Sequence, residues 1–123
     1  MNVDVAGLVE FAADASGENL RAVAVYTDDG EERWAYRRDD LESQYTAGTL
    51  AAIAGVLRDD GHQRTREEWA FLHGEQRATV RVFPKTIVVH FRERDGGLCL
   101  LLDTAVAAHL SGFVDACRRA LDG

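Results

Sequence analysis

Lysine, proline and cysteine are nearly absent from this chain. Its 123 residues include one lysine, Lys85, one proline, Pro84, and two cysteines, Cys99 and Cys117. Two cysteines are too few for the disulfide framework of a small secreted protein, so reduced, buried thiols are expected. Long hydrophobic runs are also lacking. The longest apolar run, residues 98–102, has the length of a strand, which excludes a membrane-spanning helix.

The first residues lack the basic region and apolar core of a signal peptide. This predicts a cytoplasmic location. The length suits one globular domain that buries roughly two thirds of its unfolded surface. We therefore expect a single α+β domain over residues 1–123.

Acidic residues dominate the charge, with 21 Asp and Glu against 14 Lys and Arg and a net charge of −7. Pairs of acids recur along the chain: Asp28-Asp29, Glu31-Glu32, Asp39-Asp40, Asp59-Asp60 and Glu67-Glu68. A composition rich in carboxylates and nearly free of lysine resembles that of proteins from halophilic archaea. An acidic bacterial protein from a GC-rich genome is the alternative. The negative charge argues against general nucleic-acid binding.

Apolar periodicity predicts three main helices. Residues 3–15 show helical spacing, and Gly17 ends that helix. Thr46 caps a second helix over residues 46–58. Asp103 or Thr104 caps the last helix, whose buried stripe is Val106, Leu110, Phe113, Cys117 and Leu121.

Alternation predicts a hairpin between the first two helices. With Asp29-Gly30 as the two turn residues, the strands bring two pairs opposite each other: Val25 with Trp34, and Val23 with Tyr36.

Residues 77–103 indicate three further strands in a meander. A Pro84-Lys85 turn pairs Val80 with Val89, pairs Ala78 with Phe91 and sets Val82 against Thr86 and Ile87. An Asp95-Gly96 turn sets Phe91 against Leu100, Val89 against Leu102, and Arg92 against Cys99.

The two faces of this meander differ, because side chains alternate along a strand. One face is apolar and predicted to be buried: Ala78, Val80, Val82, Ile87, Val89, Phe91, Leu100 and Leu102. The other carries Arg77, Arg81, His90, Arg92 and Cys99.

Residues 65–73 fit two structures. The capping-box pattern from Thr65 to Glu68, with Gly74 as a stop, favours a short helix. The alternation of Trp69 and Phe71 also fits a strand. The helix is preferred.

The predicted order is helix, two strands, helix, about three strands, helix, around a central antiparallel sheet of about five strands. This order resembles the roadblock/longin/profilin-like group of small sandwiches. That resemblance implies terminal helices on one face of the sheet. It supplies no activity.

Several short sequence segments resemble those of a family of small haloarchaeal proteins with no assigned function. They are Leu20-Arg21-Ala22-Val23, Tyr36-Arg37-Arg38-Asp39-Asp40-Leu41, His73-Gly74-Glu75 and Thr79-Val80-Arg81-Val82-Phe83. The resemblance supports the halophilic setting and adds no catalytic residue.

Motifs for nucleotide, zinc or hydrolase chemistry are missing. The histidines and cysteines lack metal-ligand spacing, so no metal and no cofactor are expected. A thiol or hydrolytic enzyme, with Cys99 as nucleophile and His90 as base, is a distant alternative, since no orienting acid or oxyanion donor is evident.

The basic face and the second helix remain as binding candidates. Arg77, Arg81, His90 and Arg92 can hold an acidic partner or an anion, whereas a solvated sheet face is the plainer explanation. The second helix presents a small-residue face: Gly48, Ala51, Ala52 and Gly55. Roadblock-like modules commonly dimerise through that helix and an adjacent strand, and the resemblance therefore implies a homodimer.

The sequence thus predicts a non-enzymatic interaction and dimerisation module, with a possible regulatory role and an unknown protein partner. A small-molecule sensor is the main alternative, and a cavity lined by Trp34 and Tyr36 would favour it.

Overall fold

The computed structural model describes residues 3–60 and 78–123. These residues form three α-helices and five strands. In chain order they are α1 (Val5–Ser16), β1 (Leu20–Thr27), β2 (Glu32–Arg37), α2 (Ala47–Asp60), β3 (Thr79–Val82), β4 (Ile87–Glu93), β5 (Gly96–Leu102) and α3 (Leu110–Asp122). Short 3₁₀ helices occupy Gly17–Asn19, Asp39–Leu41 and Thr104–His109.

Two of the three helices begin at a side-chain cap, whereas α3 has none, and the predicted cap at Asp103 or Thr104 is not formed. The Asp4 side chain accepts a hydrogen bond from the Gly7 amide at 2.8 Å, which satisfies one of the first amides of α1. Thr46 does the same for α2 by accepting from the Thr49 amide at 3.2 Å. Gly17 ends α1 with a φ of 57°, a conformation that glycine adopts without strain. The predicted caps at Thr46 and Gly17 are confirmed.

The five strands form one antiparallel sheet in the order β2-β1-β5-β4-β3. The last strand therefore lies in the middle, between β1 and β4. The predicted α+β class with a five-stranded antiparallel sheet and three helices is confirmed.

The sheet separates two hydrophobic clusters. On one face α1 and α3 contact each other and cover a core built from β1, β4 and β5, with Val23, Val89 and Leu100 fully buried. On the other face α2 packs over a smaller core that includes Tyr26, Cys99 and Leu101. The predicted placement of both terminal helices on one face is confirmed.

The register of the first hairpin corrects one predicted pair. Val23 opposes Tyr36 as expected, but Val25 opposes Arg33 instead of Trp34. The turn holds three residues between Thr27 and Glu31, where the Thr27 amide donates to the Glu31 carbonyl at 2.8 Å. A β-bulge between Val23 and Ala24 then shifts the register by one residue, which restores the predicted pairing of Val23 with Tyr36.

This bulge places two neighbouring aromatics on different faces. Tyr36 packs against the core under α1 and α3, whereas Trp34 packs against the core under α2. They therefore do not line a common cavity.

The register of β4 against β5 differs from the prediction by two residues. Phe91 opposes Leu98, and Val89 opposes Leu100. A two-residue shift leaves each side chain on its predicted face. The reason lies in Gly96 and Gly97, which belong to β5 rather than to the turn.

Neither glycine has room for a side chain. A Cβ at Gly97 would lie 2.6 Å from the Tyr26 hydroxyl oxygen and 2.8 Å from the Phe91 carbonyl oxygen. A Cβ at Gly96 would lie against the Tyr26 carbonyl oxygen and 2.9 Å from the Thr27 Cα. The glycines allow β1 and β5 to approach closely, so Arg94 and Asp95 make the turn.

Strand β3 corrects part of the predicted core. Val80 opposes Val89 and Val82 opposes Ile87, as predicted. However, Val80 is 37% exposed and Val82 is 72% exposed. Ala78 is half-buried, while the other five predicted core residues of the meander are buried. The physical reason is position: β3 is an outer strand, and neither valine belongs to the core under α1 and α3.

The helix and the strand considered for residues 65–73 lie outside the described residues, as does Arg77.

The predicted last helix divides in two, because Thr104–His109 is a 3₁₀ helix and α3 starts at Leu110. Cys117 and Leu121 of its predicted stripe are fully buried.

Candidate functional site

A polar cluster lies on the α2 side of the sheet. It contains Tyr26 of β1, His90 and Arg92 of β4, Asp28 of the first turn and Arg58 of α2; we call it the Tyr26 cluster. Alternation places Tyr26, His90 and Arg92 on one face, and the insertion of β5 between β1 and β4 sets their separation.

His90 is buried and neutral. It is 3% exposed, and its Nε2 lies 2.7 Å from the Tyr26 hydroxyl oxygen. Burial lowers the pKa of His90 to about 4, and the nearby positive charges of Arg81 and Arg92 add to that effect. A neutral imidazole with its proton on Nδ1 accepts a hydrogen bond at Nε2 from the Tyr26 hydroxyl, so the two groups satisfy each other at this contact.

Arg92 forms a bidentate ion pair with Asp28. Its Nη1 and Nη2 donate to the two Asp28 carboxylate oxygens at 2.8 and 2.6 Å. Nη1 also lies 3.3 Å from the Tyr26 hydroxyl oxygen. The hydrogen bond to Asp28 raises the pKa of Arg92, so this guanidinium is permanently charged.

Arg58 fastens the end of α2 to the first hairpin. Its Nε donates to the Thr27 carbonyl at 2.9 Å, and Nη2 donates to the Glu31 carbonyl at 3.1 Å. Nη1 pairs with Glu32 at 3.0 Å. The guanidinium also lies 5.7 Å from the centre of the Tyr26 ring, within the range of a cation–π contact.

A second set of arginines holds the opposite end of the sheet. Arg21 and Arg38 both pair with Asp103, at 2.8 and 3.1 Å. Arg21 Nε also donates to the Tyr45 hydroxyl at 2.9 Å. These hydrogen bonds raise the pKa of Arg21, and the two arginines lower that of Asp103 against the effect of its burial. The contacts connect four chain segments and serve the fold.

The structure brings together three of the four predicted basic residues. His90 and Arg92 meet at Tyr26, and the half-buried Arg81 of β3 lies close enough for its charge to act on His90. Arg77 lies outside the described residues. Sequence reasoning missed Tyr26, Asp28 and Arg58 as members of the site.

Cys99 does not form a nucleophile–base pair with His90. Their Cα atoms are directly opposite in the ladder, yet Cys99 is fully buried and His90 Nε2 faces Tyr26. Burial raises the pKa of the Cys99 thiol to about 12, and burial raises that of Cys117 to about 12 as well. Both thiols are therefore protonated near neutral pH, whereas a cysteine nucleophile must be a thiolate.

The small residues of α2 face away from the sheet. Gly48, Ala51, Ala52 and Gly55 are all exposed, and Val56 beside them is 55% exposed. A Cβ added at Gly55 would meet nothing within 4 Å. Packing among the residues that the structure describes therefore does not require Gly55 to be small.

The parts of the chain that the structure describes hold no group of three His, Cys, Asp or Glu side chains suited to a metal ion. None of the helices within residues 3–60 and 78–123 is long and apolar enough to cross a membrane.

With the fold and both surfaces described, comparison with known proteins gives the family. Residues 6–122 match the family described as Domain of unknown function (DUF7522). The chain belongs to that family. The predicted membership of a family without an assigned activity is confirmed, and the haloarchaeal origin stays a prediction. No curated protein matches the chain.

Several solved structures are similar to this fold. A Roadblock/LC7 domain from Streptomyces avermitilis covers 93% of this chain and 91% of its own, with 17% identity and a TM-score of 0.46. An MglB described with a tetrameric arrangement covers 94% and 86%, with 14% identity and a TM-score of 0.43.

The gliding protein MglB from Thermus thermophilus covers 94% of this chain and 89% of its own, with 14% identity and a TM-score of 0.41. The first of these structures bears the name of the group that the element order resembles.

Proposed function

We propose that this chain is a one-domain protein-interaction module with a regulatory role, which forms a homodimer through the outward face of α2. The supporting observation is the exposed face of Gly48, Ala51, Ala52 and Gly55, in which nothing in the described chain requires Gly55 to be small. The cytoplasmic, halophilic setting remains a prediction beside it.

The glycines of α2 lower the stability of the helix, and a partner helix packed against them would explain why they are there. Each glycine within a helix destabilises it by about 1 kcal/mol relative to alanine. A Cβ at Gly48 would meet only the Thr46 hydroxyl oxygen, at 3.7 Å, and a Cβ at Gly55 would meet nothing. A second helix packed against this face would benefit from the close backbone approach that small residues permit.

The exposed valine of α2 adds apolar area to the same face. Val56 is 55% exposed, although its neighbours Ala54 and Leu57 are buried against the sheet. Burial of apolar side chains is the main driving force of association. A symmetric pair of α2 helices would remove two copies of this valine from water.

The sensor alternative loses its predicted cavity. Trp34 and Tyr36 lie on different faces of the sheet because of the bulge in the first hairpin. A ligand between the sheet and the helices on one face would therefore contact only one of these two aromatics.

A pair of matched arginine substitutions tests the dimer. Gly55→Arg places a long charged side chain on the proposed interface, and Gly112→Arg makes the same change at an exposed glycine of α3 that also has nothing within 4 Å. Light scattering in molar KCl should show a dimer for the parent and for Gly112→Arg, and a monomer for Gly55→Arg. A monomeric parent, or equal behaviour of the two variants, would refute the proposal.

A further inference from the structure

The outward face of α2 depends on how the helix is rotated about its own axis. Successive residues of an α-helix lie about 100° apart around that axis, so a small rotation turns Gly48 and Gly55 away from an approaching helix. The side chains that pack α2 on the sheet are apolar: Leu50, Ala54 and Leu57. Apolar packing has no preferred direction, whereas hydrogen bonds have one. The rotation of α2 is therefore fixed most firmly by its polar contacts.

Polar contacts tie both ends of α2 to the first hairpin. Just before the helix begins, Trp34 Nε1 donates to the Thr46 carbonyl at 3.2 Å. Arg37 Nη1 donates to the carbonyl of the preceding residue, Tyr45, at 3.0 Å. At the other end, Arg58 of the helix itself reaches the turn between β1 and β2. The hairpin thus holds α2 at its two ends, and Arg58 is the part of this attachment that belongs to α2.

Arg58 contacts the hairpin on both sides of its turn. Nε donates to the Thr27 carbonyl at 2.9 Å, and Nη2 donates to the Glu31 carbonyl at 3.1 Å. The Thr27 amide also donates to the Glu31 carbonyl, so both acceptors belong to the hydrogen-bonded frame of the turn. Nη1 pairs with Glu32 at 3.0 Å, and the side chains of Arg58 and Glu32 are each 23% exposed. Water therefore screens these contacts only in part.

The guanidinium sets the orientation of the last turn of α2. It is planar, and its N–H groups point in fixed directions, so donation to two backbone carbonyls at once fixes the plane of the group. Arg58 follows Gly55 by three residues and Val56 by two. Because one helical turn joins these residues, whatever holds Arg58 also holds Gly55 and Val56 in their exposed positions.

We propose that Arg58 is the positioning residue of the α2 interface. By holding the last turn of α2 on the hairpin, it keeps Gly55 and Val56 directed outward, where a second copy of the chain reaches them. Its three nitrogens are engaged within the chain, so it acts through the helix rather than on the partner. This inference rests on the proposed function, because it names a residue on which the α2 dimer depends.

The charge of Arg58 has to be separated from its position. Each copy of the chain has a net charge of −7, so loss of one cation increases the repulsion between two copies. Lysine keeps the charge, but its single ammonium group does not reproduce the fixed fork that reaches Thr27 and Glu31 together. Arg58→Lys therefore removes the positioning contact and leaves the charge.

The experiment compares the dimer dissociation constant with the free energy of unfolding. Sedimentation equilibrium in molar KCl gives the first and urea unfolding gives the second, for the parent, Arg58→Lys and a matched control. We expect Arg58→Lys to weaken the dimer about tenfold, as the loss of a hydrogen bond from a charged group would. The control, Arg118→Lys, makes the same change on α3, where Arg118 pairs with Glu93 at 2.8 Å. It should lower the free energy of unfolding and leave the dissociation constant unchanged.

Glu32→Gln tests the attachment from the side of the hairpin. It leaves α2 unchanged and removes the charge that pairs with Arg58 Nη1. It also makes each copy less negative, so charge repulsion alone predicts a tighter dimer, whereas loss of the attachment predicts a weaker one. We expect the dimer to be about threefold weaker. This variant decides the matter if Arg58→Lys fails to fold.

Unchanged dimerisation of Arg58→Lys, or equal weakening in Arg118→Lys, would overturn the positioning role, as would an unchanged or tighter dimer in Glu32→Gln. An arginine with a merely structural role would alter only the free energy of unfolding. A parent dimer that Gly55→Arg breaks and Arg58→Lys leaves intact would refute this role alone, whereas a monomeric parent would refute it together with the α2 dimer.

Discussion

At the scale of single residues, His90 shows how burial fixes a protonation state. It is enclosed by Tyr26 of β1, Cys99 of β5, Arg81 of β3 and Arg92 on its own strand. Two of these neighbours are cations, so protonation of the imidazole adds a third positive charge in a site with little water. The neutral form is therefore the one that belongs to the folded state.

This environment predicts acid sensitivity. The pKa of His90 is about 4 in the folded protein and 6.5 in the unfolded chain, so the unfolded state binds more protons between these values. Stability should then be fully present above about pH 6.5 and fall as the pH drops towards 4, by up to about 3 kcal/mol.

The measurement is urea unfolding at several pH values for the parent, His90→Gln and the exposed control His109→Gln. The loss between pH 6.5 and 4 should be smaller in His90→Gln and unchanged in His109→Gln. Parallel profiles for all three proteins would contradict the assignment.

At the scale of elements, the position of β5 determines both the core and the Tyr26 cluster. As the middle strand it is buried along its whole length. Gly96 and Gly97 make this position possible, since the Tyr26 backbone and hydroxyl occupy the space that a side chain would need.

Replacing either glycine should lower the stability of the fold by more than a residue of higher strand propensity could raise it. Gly97→Ala forces the Cβ against the Tyr26 hydroxyl and the Phe91 carbonyl, and we expect a destabilisation of about 2–3 kcal/mol. In the helical control, Gly112→Ala, the new methyl group has nothing within 4 Å, and a gain of about 0.5–1 kcal/mol is expected. Chemical unfolding of the two variants measures the difference; similar stabilities would show that β5 tolerates a side chain here.

At the scale of the whole molecule, the excess of carboxylates makes stability depend on salt. With a net charge of −7, the chain repels itself at low ionic strength, where the Debye length reaches about 30 Å at 0.01 M. At molar salt the Debye length falls to about 3 Å, and the repulsion is screened.

The midpoint of thermal unfolding should therefore rise between millimolar and molar KCl. Sucrose serves as the control, because it is excluded from protein surfaces without screening charge. A midpoint that rises equally in sucrose, or falls in KCl, would contradict a screening effect and weaken the halophilic interpretation.

The candidate site was predictable only in part. Alternation is a local property, so the face that carries His90 and Arg92 was visible in the sequence. Tyr26 and Asp28 lie more than 60 residues away in the chain from His90 and Arg92. The residues joined by hydrogen bonds in the cluster are 64 or 66 positions apart in the sequence. No local pattern connects residues so far apart.

The sequence alone determined the order of helices and strands, the apolar face of each and the acidic surface, because periodicity and composition are properties of neighbouring residues. Only the tertiary structure decided that β5 lies in the middle, that Val80 and Val82 stay exposed on an outer strand, and that the pairing of β4 with β5 is shifted by two residues. Each of these depends on what occupies the space beside a strand, such as Tyr26 beside Gly97, and that neighbour comes from a distant part of the chain.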